Sequence, residues 1–116
     1  MNPRDKEAVE YILECIAAID RYVARADGEW TDDDMTVDAI SKRIEEIGEV
    51  AKKLSGPTID AMPGVYWKGV RGMREVLAHD CDAVRIDIVA DTVMNDLPGL
   101  REAAAAVLHD DEKGAV

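Results

Sequence analysis

Between Val37 and Leu54 the residues Val37, Ile40, Ile44, Ile47, Ala51 and Leu54 fall at steps of 3, 4, 3, 4 and 3. That alternation is a heptad seam, which keeps to one side of a helix and drifts little around it. A helix with such a seam needs a partner carrying a matching stripe, and a candidate lies immediately upstream. Val9, Ile12, Leu13, Ile16, Ile19 and Val23 recur at three- and four-residue steps, the mark of one buried helical face. The short interval between the two stripes favours an antiparallel return. Asn2 followed by Pro3 predicts where the first helix starts, with a capping side chain and then proline at the first helical position. Gly28 is placed to end it. Glu7 and Glu10 near its start and Arg21 and Arg25 near its end suit the macrodipole.

The rest of the chain continues the helical pattern. Thr31-Asp-Asp-Asp34 offers several N-caps for the second helix, and the residue types do not choose among them. Gly48 sits inside that helix, where it costs about 1 kcal/mol relative to alanine; a close helix crossing would account for it. Ser55-Gly56-Pro57 stops the helix, and residues 57–65 read as an irregular connector. A third helix is expected from about Val65 to His79, with Tyr66, Val70, Met73 and Leu77 as its apolar set. Asp82 can cap a fourth, whose stripe is Ile86, Val89, Val93 and Leu97. Pro98 marks a kink or a new first turn, after which Leu100, Ala104, Val107 and Leu108 carry on the pattern. Trp30 is placed to plug one end of the bundle. No strand signal occurs, so the expected class is an all-α up-and-down antiparallel bundle of four to five helices. Residues 1–109 form its single domain and 110–116 a frayed acidic tail.

Composition narrows the function classes. With 47% hydrophobic and 34% charged residues among 116, the chain is neither disordered nor membranous. No apolar run approaches a bilayer span, and the first residues lack the core of a signal peptide. Cys15 and Cys81 show no metal-ligand spacing and read as reduced thiols in a cytoplasm. The net charge of −11 argues against nucleic-acid binding if taken globally. Its distribution does not. Residues 1–41 carry 4 basic and 11 acidic side chains, residues 42–74 carry 7 and 4, and residues 75–116 carry 3 and 10. The only basic excess leads into a histidine.

That histidine closes the stretch Trp67-Lys-Gly-Val-Arg71-Gly-Met-Arg74-Glu-Val-Leu-Ala-His79. Lys68, Arg71 and Arg74 precede it. A guanidinium holds a phosphate through two parallel hydrogen bonds, and an imidazole titrates near neutrality and can move a proton. Together they point to phosphodiester chemistry that uses neither metal nor cofactor. The same residues equally fit a histidine capping a helix end beside solvated arginines. Positions 74 and 79 are about 140° apart around a regular helix, so a site using both needs a frayed helix end or groups from another helix or subunit. Glu75 and His79, at i and i+4, can meet, which would favour the imidazolium and raise its pKa. His109, in the acidic tail, reads as surface.

Arg74 and His79, with four residues between them, resemble the arginine–histidine motif of HEPN domains, and specifically of the HepT-like toxins. Ile44-Glu-Glu-Ile-Gly-Glu49-Val-Ala-Lys-Lys-Leu54 resembles that family's second helix. Trp67 with Gly72-Met73-Arg74 resembles its approach to the site, and Asp96-Leu97-Pro98-Gly-Leu100 its late leucine–proline segment. The ordered set spans most of residues 4–108. The resemblance implies a HEPN-like bundle that forms a homodimer, with both motifs facing one cleft. It implies a metal-independent endoribonuclease acting on RNA, the toxin of a toxin–antitoxin pair, partnered by a nucleotidyltransferase antitoxin such as MntA. Arg74 would hold the scissile phosphate, His79 would serve as general acid or base, and the adjacent 2′-hydroxyl would attack. Lys68 and Arg71 would add phosphate contacts.

Two positions depart from the family pattern. Glu75 stands where asparagine is common, and a carboxylate there repels phosphate. Cys81 stands where the family has the tyrosine that the antitoxin adenylylates, so that modification is not expected at this position. Glu75 and the acidic balance favour a rival reading, a non-catalytic helical dimer that binds a nucleotidyltransferase or nucleic acid; a purely structural dimer is a third.

Overall fold

In the computed structural model, which describes residues 1–79 and 82–114 and the side chains of these outside 74–84, helix α1 spans Pro3–Arg25. Its start is the expected one: the Asn2 side chain accepts from the Asp5 amide at 2.8 Å. Its end differs. The helix stops at Arg25 with Ala26 in an extended conformation, and Gly28, at φ 80°, turns the chain beyond it. A short 3₁₀ turn, Trp30–Asp32, places Trp30 half-buried against the core. Helix α2, Asp34–Ala51, is capped by Asp33, which accepts from the Met35 amide at 3.1 Å and the Thr36 hydroxyl at 2.9 Å.

Helices α1 and α2 are antiparallel. Tyr22 pairs with Arg43, Tyr11 and Cys15 with Glu46, and Asp5 with Ser55, so positions descend along one helix as they rise along the other. All six residues of the heptad seam are buried. On α1 the buried set is wider than one stripe: Cys15 and Ala18 join Val9, Ile12, Ile16 and Ile19, while Leu13 and Val23 are only partly covered. A second helix, α6, packs along another side of α1, where Arg101 reaches Asp20 at 2.5 Å and Asp111 meets the terminal amino group at 2.9 Å.

The expected irregular connector contains a helix. Helix α3, Gly56–Asp60, is held by Asp5, which is 2% exposed and accepts from the Ser55 amide at 3.3 Å, the Ser55 hydroxyl, and the Thr58 hydroxyl at 2.5 Å. A carboxylate from α1 thus accepts from the capping Ser55 amide and two hydroxyls at the start of α3, and Pro57 pre-sets its first turn. Helix α4, Trp67–His79, begins later than its apolar pattern suggests. Trp67 takes the buried place and donates from its indole nitrogen to the Met62 carbonyl at 3.2 Å. Tyr66, expected in the core, is instead 73% exposed. Its ring lies over Gly69, where a Cβ would come within 2.7 Å of Cδ2.

Helix α5, Asp82–Asp91, leads without a loop into a π-helical turn, Thr92–Asp96, and then into α6, Leu97–Gly114. In the widened turn the Leu97 amide donates to the Thr92 carbonyl five residues back. Pro98 explains it: proline cannot donate, and its ring would strike the carbonyl of Met94 in a regular helix. Val89, Thr92, Leu97, Leu100 and Ala104 are buried along this rod. The segment expected to fray from residue 110 continues α6 to Gly114 and is tied at Asp111 to the terminal amino group. The architecture is an all-α antiparallel bundle, with no strand among the described residues. No helix among them is long and apolar enough to cross a membrane.

Candidate functional site

Helix α4 carries the basic stretch, and its own packing sets how that stretch is shown. Trp67, Val70 and Met73 are buried, which anchors one side of α4 in a bundle where it packs on α2. Lys68 is exposed and Arg71 half-buried. The Arg71 Nε is covered and has no hydrogen-bond partner among the described residues, a cost that a bound acceptor would remove. Positions 68, 71 and 74 are three apart, so each is offset by about 60° from the last along a winding ridge. The helix is regular to His79, its last residue. Positions 74 and 79 therefore lie about 140° apart around α4, as the spacing predicts. The side chains of Arg74, Glu75 and His79, and Cys81 as a whole, lie outside the described residues. Of the expected site residues, Lys68 and Arg71 alone can be located by their side chains. His109 is exposed on α6, as expected.

A family model described as ribonuclease HepT-like matches residues 12–107. The chain is a member of the HepT-like ribonuclease family. A Methanocaldococcus jannaschii protein named "Putative RNase" is 31% identical over 84 residues, covering 72% of this chain and 69% of that protein. One of the same name from Caldanaerobacter subterraneus subsp. tengcongensis is 28% identical over 105 residues, 90% of this chain and 94% of the relative. A "Probable ribonuclease HepT" from Thermococcus cleftensis is 28% identical over 102 residues, 87% and 93% respectively. No solved structure gave a significant match.

Two further features of this HepT-like chain escaped the sequence reading. The first is a half-buried polar cluster between α1 and α2. The Tyr11 hydroxyl donates to Glu46, the Cys15 thiol lies 3.8 Å from the same carboxylate, and Arg43 reaches Tyr22 at 3.2 Å and Glu46 at 3.5 Å. The hydrogen bond to Glu46, with burial second, pushes Tyr11 up to about 12. Burial pushes the Cys15 thiol up as well, which disfavours its thiolate form. These groups join two helices and leave no activated nucleophile.

The second is a groove of about 490 Å³ between the start of α4, the π-helical turn and the start of α6. Its floor includes Val70, Met73 and Leu100, and Asp91, Asn95 and Asp96 form one wall. Burial, and then the neighbouring Asp91, raise the Asp96 carboxyl above its ordinary value. The signals were Gly64, Gly69 and Gly99, residues without side chains that together line one space. Among the described residues no group of three His, Cys, Asp or Glu side chains is placed to hold a metal ion.

Proposed function

We propose that this chain is a metal-independent endoribonuclease, the toxin of a toxin–antitoxin pair, whose active site forms where two copies bring their α4 helices together. The observation that carries the reading is the family match across residues 12–107, which includes both Arg74 and His79. Arg74 neutralises the scissile phosphate, and His79 moves the proton of the attacking 2′-hydroxyl or of the leaving oxygen. Lys68 and Arg71 hold the flanking backbone. The chemistry suits the residue types: a guanidinium grips the phosphate in two places, and an imidazole transfers protons near neutrality. A dimer also answers the 140° separation, since each copy need supply only part of one site.

A nucleotidyltransferase antitoxin restrains the activity by covering the cleft. Cys81 stands at the position of the family's acceptor tyrosine, and a phosphorus–sulfur bond to AMP would be labile. No stable adduct is therefore expected within residues 74–85 when the purified chain is incubated with its nucleotidyltransferase and ATP. Intact mass and peptide mapping read this directly, and Cys81→Tyr should create an adduct. The decisive experiment is cleavage of labelled RNA in the presence of chelator by the parent protein and by Arg74→Ala and His79→Ala. Cleavage confined to the parent supports the reading. RNA binding without cleavage by the parent would favour the non-catalytic dimer, towards which Glu75 and the net charge of −11 lean.

A further inference from the structure

The groove between α4 and α6 borders the basic stretch, but Lys68 and Arg71 are not among its described lining residues and its charged groups are acidic. Its floor is apolar, lined by the largely buried Ile44, Val70, Met73 and Leu100. Its volume of about 490 Å³ falls within the range of sites that take a ligand or several partner side chains. One wall presents two carboxylates. Asp91 accepts only a neutral amide, from Asn95 at 2.7 Å, and neither Asp91 nor Asp96 has an ion pair among the described residues. No lysine, arginine or histidine lies among the described residues that line it. At the mouth Tyr66 is held 73% exposed with its ring on Gly69. An aromatic fixed at the rim of an apolar depression is the side chain that most often anchors a polypeptide interface.

We infer that this groove docks a basic amphipathic segment of a partner polypeptide, which inserts apolar side chains over Val70 and Leu100 and sets lysine or arginine against Asp91 and Asp96. The wall decides between partners. Two uncompensated carboxylates repel a phosphate backbone and an anionic lipid surface alike, and they attract a cation that arrives attached to an apolar body. The described groove lining includes neither Lys68 nor Arg71, and binding in the groove does not presuppose catalysis.

The probe is a synthetic helical peptide with leucine and lysine at heptad spacing, titrated into the isotopically labelled full chain and followed by NMR. Its control replaces every lysine with glutamate. The expected result is saturable shifts at Gly69, Asn95 and Gly99 with the lysine peptide only. Asp91→Asn combined with Asp96→Asn should weaken binding about tenfold. Gly99→Leu gives a variant that blocks the groove and still folds: a Cβ at Gly99 meets no atom within 4 Å, and leucine favours a helix. It should abolish binding with no fall in thermal midpoint. Equal binding of the glutamate peptide, undiminished binding by Gly99→Leu, or no shifts in the groove would each overturn the inference. So would groove shifts that grow with protein concentration in the absence of peptide, because a second copy would then be the occupant.

Discussion

The α1–α2 pair and the α4–α6 side are built from the same kinds of apolar residue and packed to opposite ends. Between α1 and α2 the isoleucines at 12, 16, 19, 40, 44 and 47 are all within 1% of complete burial, and the polar residues that enter the seam, Tyr11, Arg43 and Glu46, satisfy one another. Across the molecule, glycines at 64, 69 and 99 and a widened helical turn leave a space of about 490 Å³ bordered by two carboxylates with no ion pair among the described residues. The difference shows how a small bundle can afford a site. The α1–α2 pair supplies a continuous packed seam, and the other elements carry small residues, a half-buried arginine and an irregular turn beside their own core residues.

The sharpest way to break this division is to remove chemistry without packing. Arg74→Ala and His79→Ala should each lower RNA cleavage about 10²–10⁴-fold and leave the far-ultraviolet circular dichroism spectrum and the melting temperature unchanged. Unaltered cleavage by either variant would remove the proposed site.

The converse change falls in the packed half. Ile40→Ala empties a fully buried position of α2 and should cost about 2–5 kcal/mol in denaturant unfolding, with cleavage per folded molecule preserved. A matching fall in that specific activity would mean the two halves are not separable. Asp5 comes next. Asp5→Ala leaves the donors of Ser55 and Thr58 without their shared acceptor, a loss of about 1–3 kcal/mol. Hydrogen bonds from Ser55 first and Thr58 second hold the Asp5 carboxyl below its ordinary value of 3.8. Its contribution is therefore complete above that value and lost as pH falls through the lower, folded one. Acid unfolding of the parent should show this loss, and Asp5→Ala should flatten it.

The smallest effect concerns Glu75. If its carboxylate repels the phosphate, Glu75→Asn should raise cleavage at neutral pH about twofold, the scale of an exposed charge contact of about 0.3–0.5 kcal/mol. Slower cleavage in steady-state assays would count against that repulsion.

Where a contact follows from periodicity, the residues disclosed it. The heptad from Val37 to Leu54 is buried throughout, and the Asn2–Pro3 start is capped as expected. What stayed hidden depends on residues far apart in the chain. Helix α3 owes its start to Asp5, 50 positions before Ser55, and no local pattern announces that. The packing of α6 along α1 likewise joins the far end of the sequence to its beginning, and Arg101 reaches Asp20 across 81 positions. Tyr66 and Trp67 are neighbours with equal claims on the core, and the indole donor of Trp67, with a carbonyl at Met62 to meet it, settles which one enters. The proposed site is legible only as a motif on α4, because arginine and histidine carry chemistry in their residue types. The groove was not legible, because it is formed by absent side chains.

The π-helical turn at Thr92–Asp96 sets the phase of everything after it. It spends one residue more than an ordinary turn, and each helical residue advances the chain by about 100°. Leu97, Leu100 and Ala104 face the core only because that extra residue precedes them. Deleting any one residue between 92 and 96 would rotate α6 by about that angle relative to α5, carrying Leu97, Leu100 and Ala104 away from the core they now face. In the lineage of such a chain, single-residue insertions and deletions in this turn act as gear changes on the last helix, and only those that keep its teeth meshed with the first can persist.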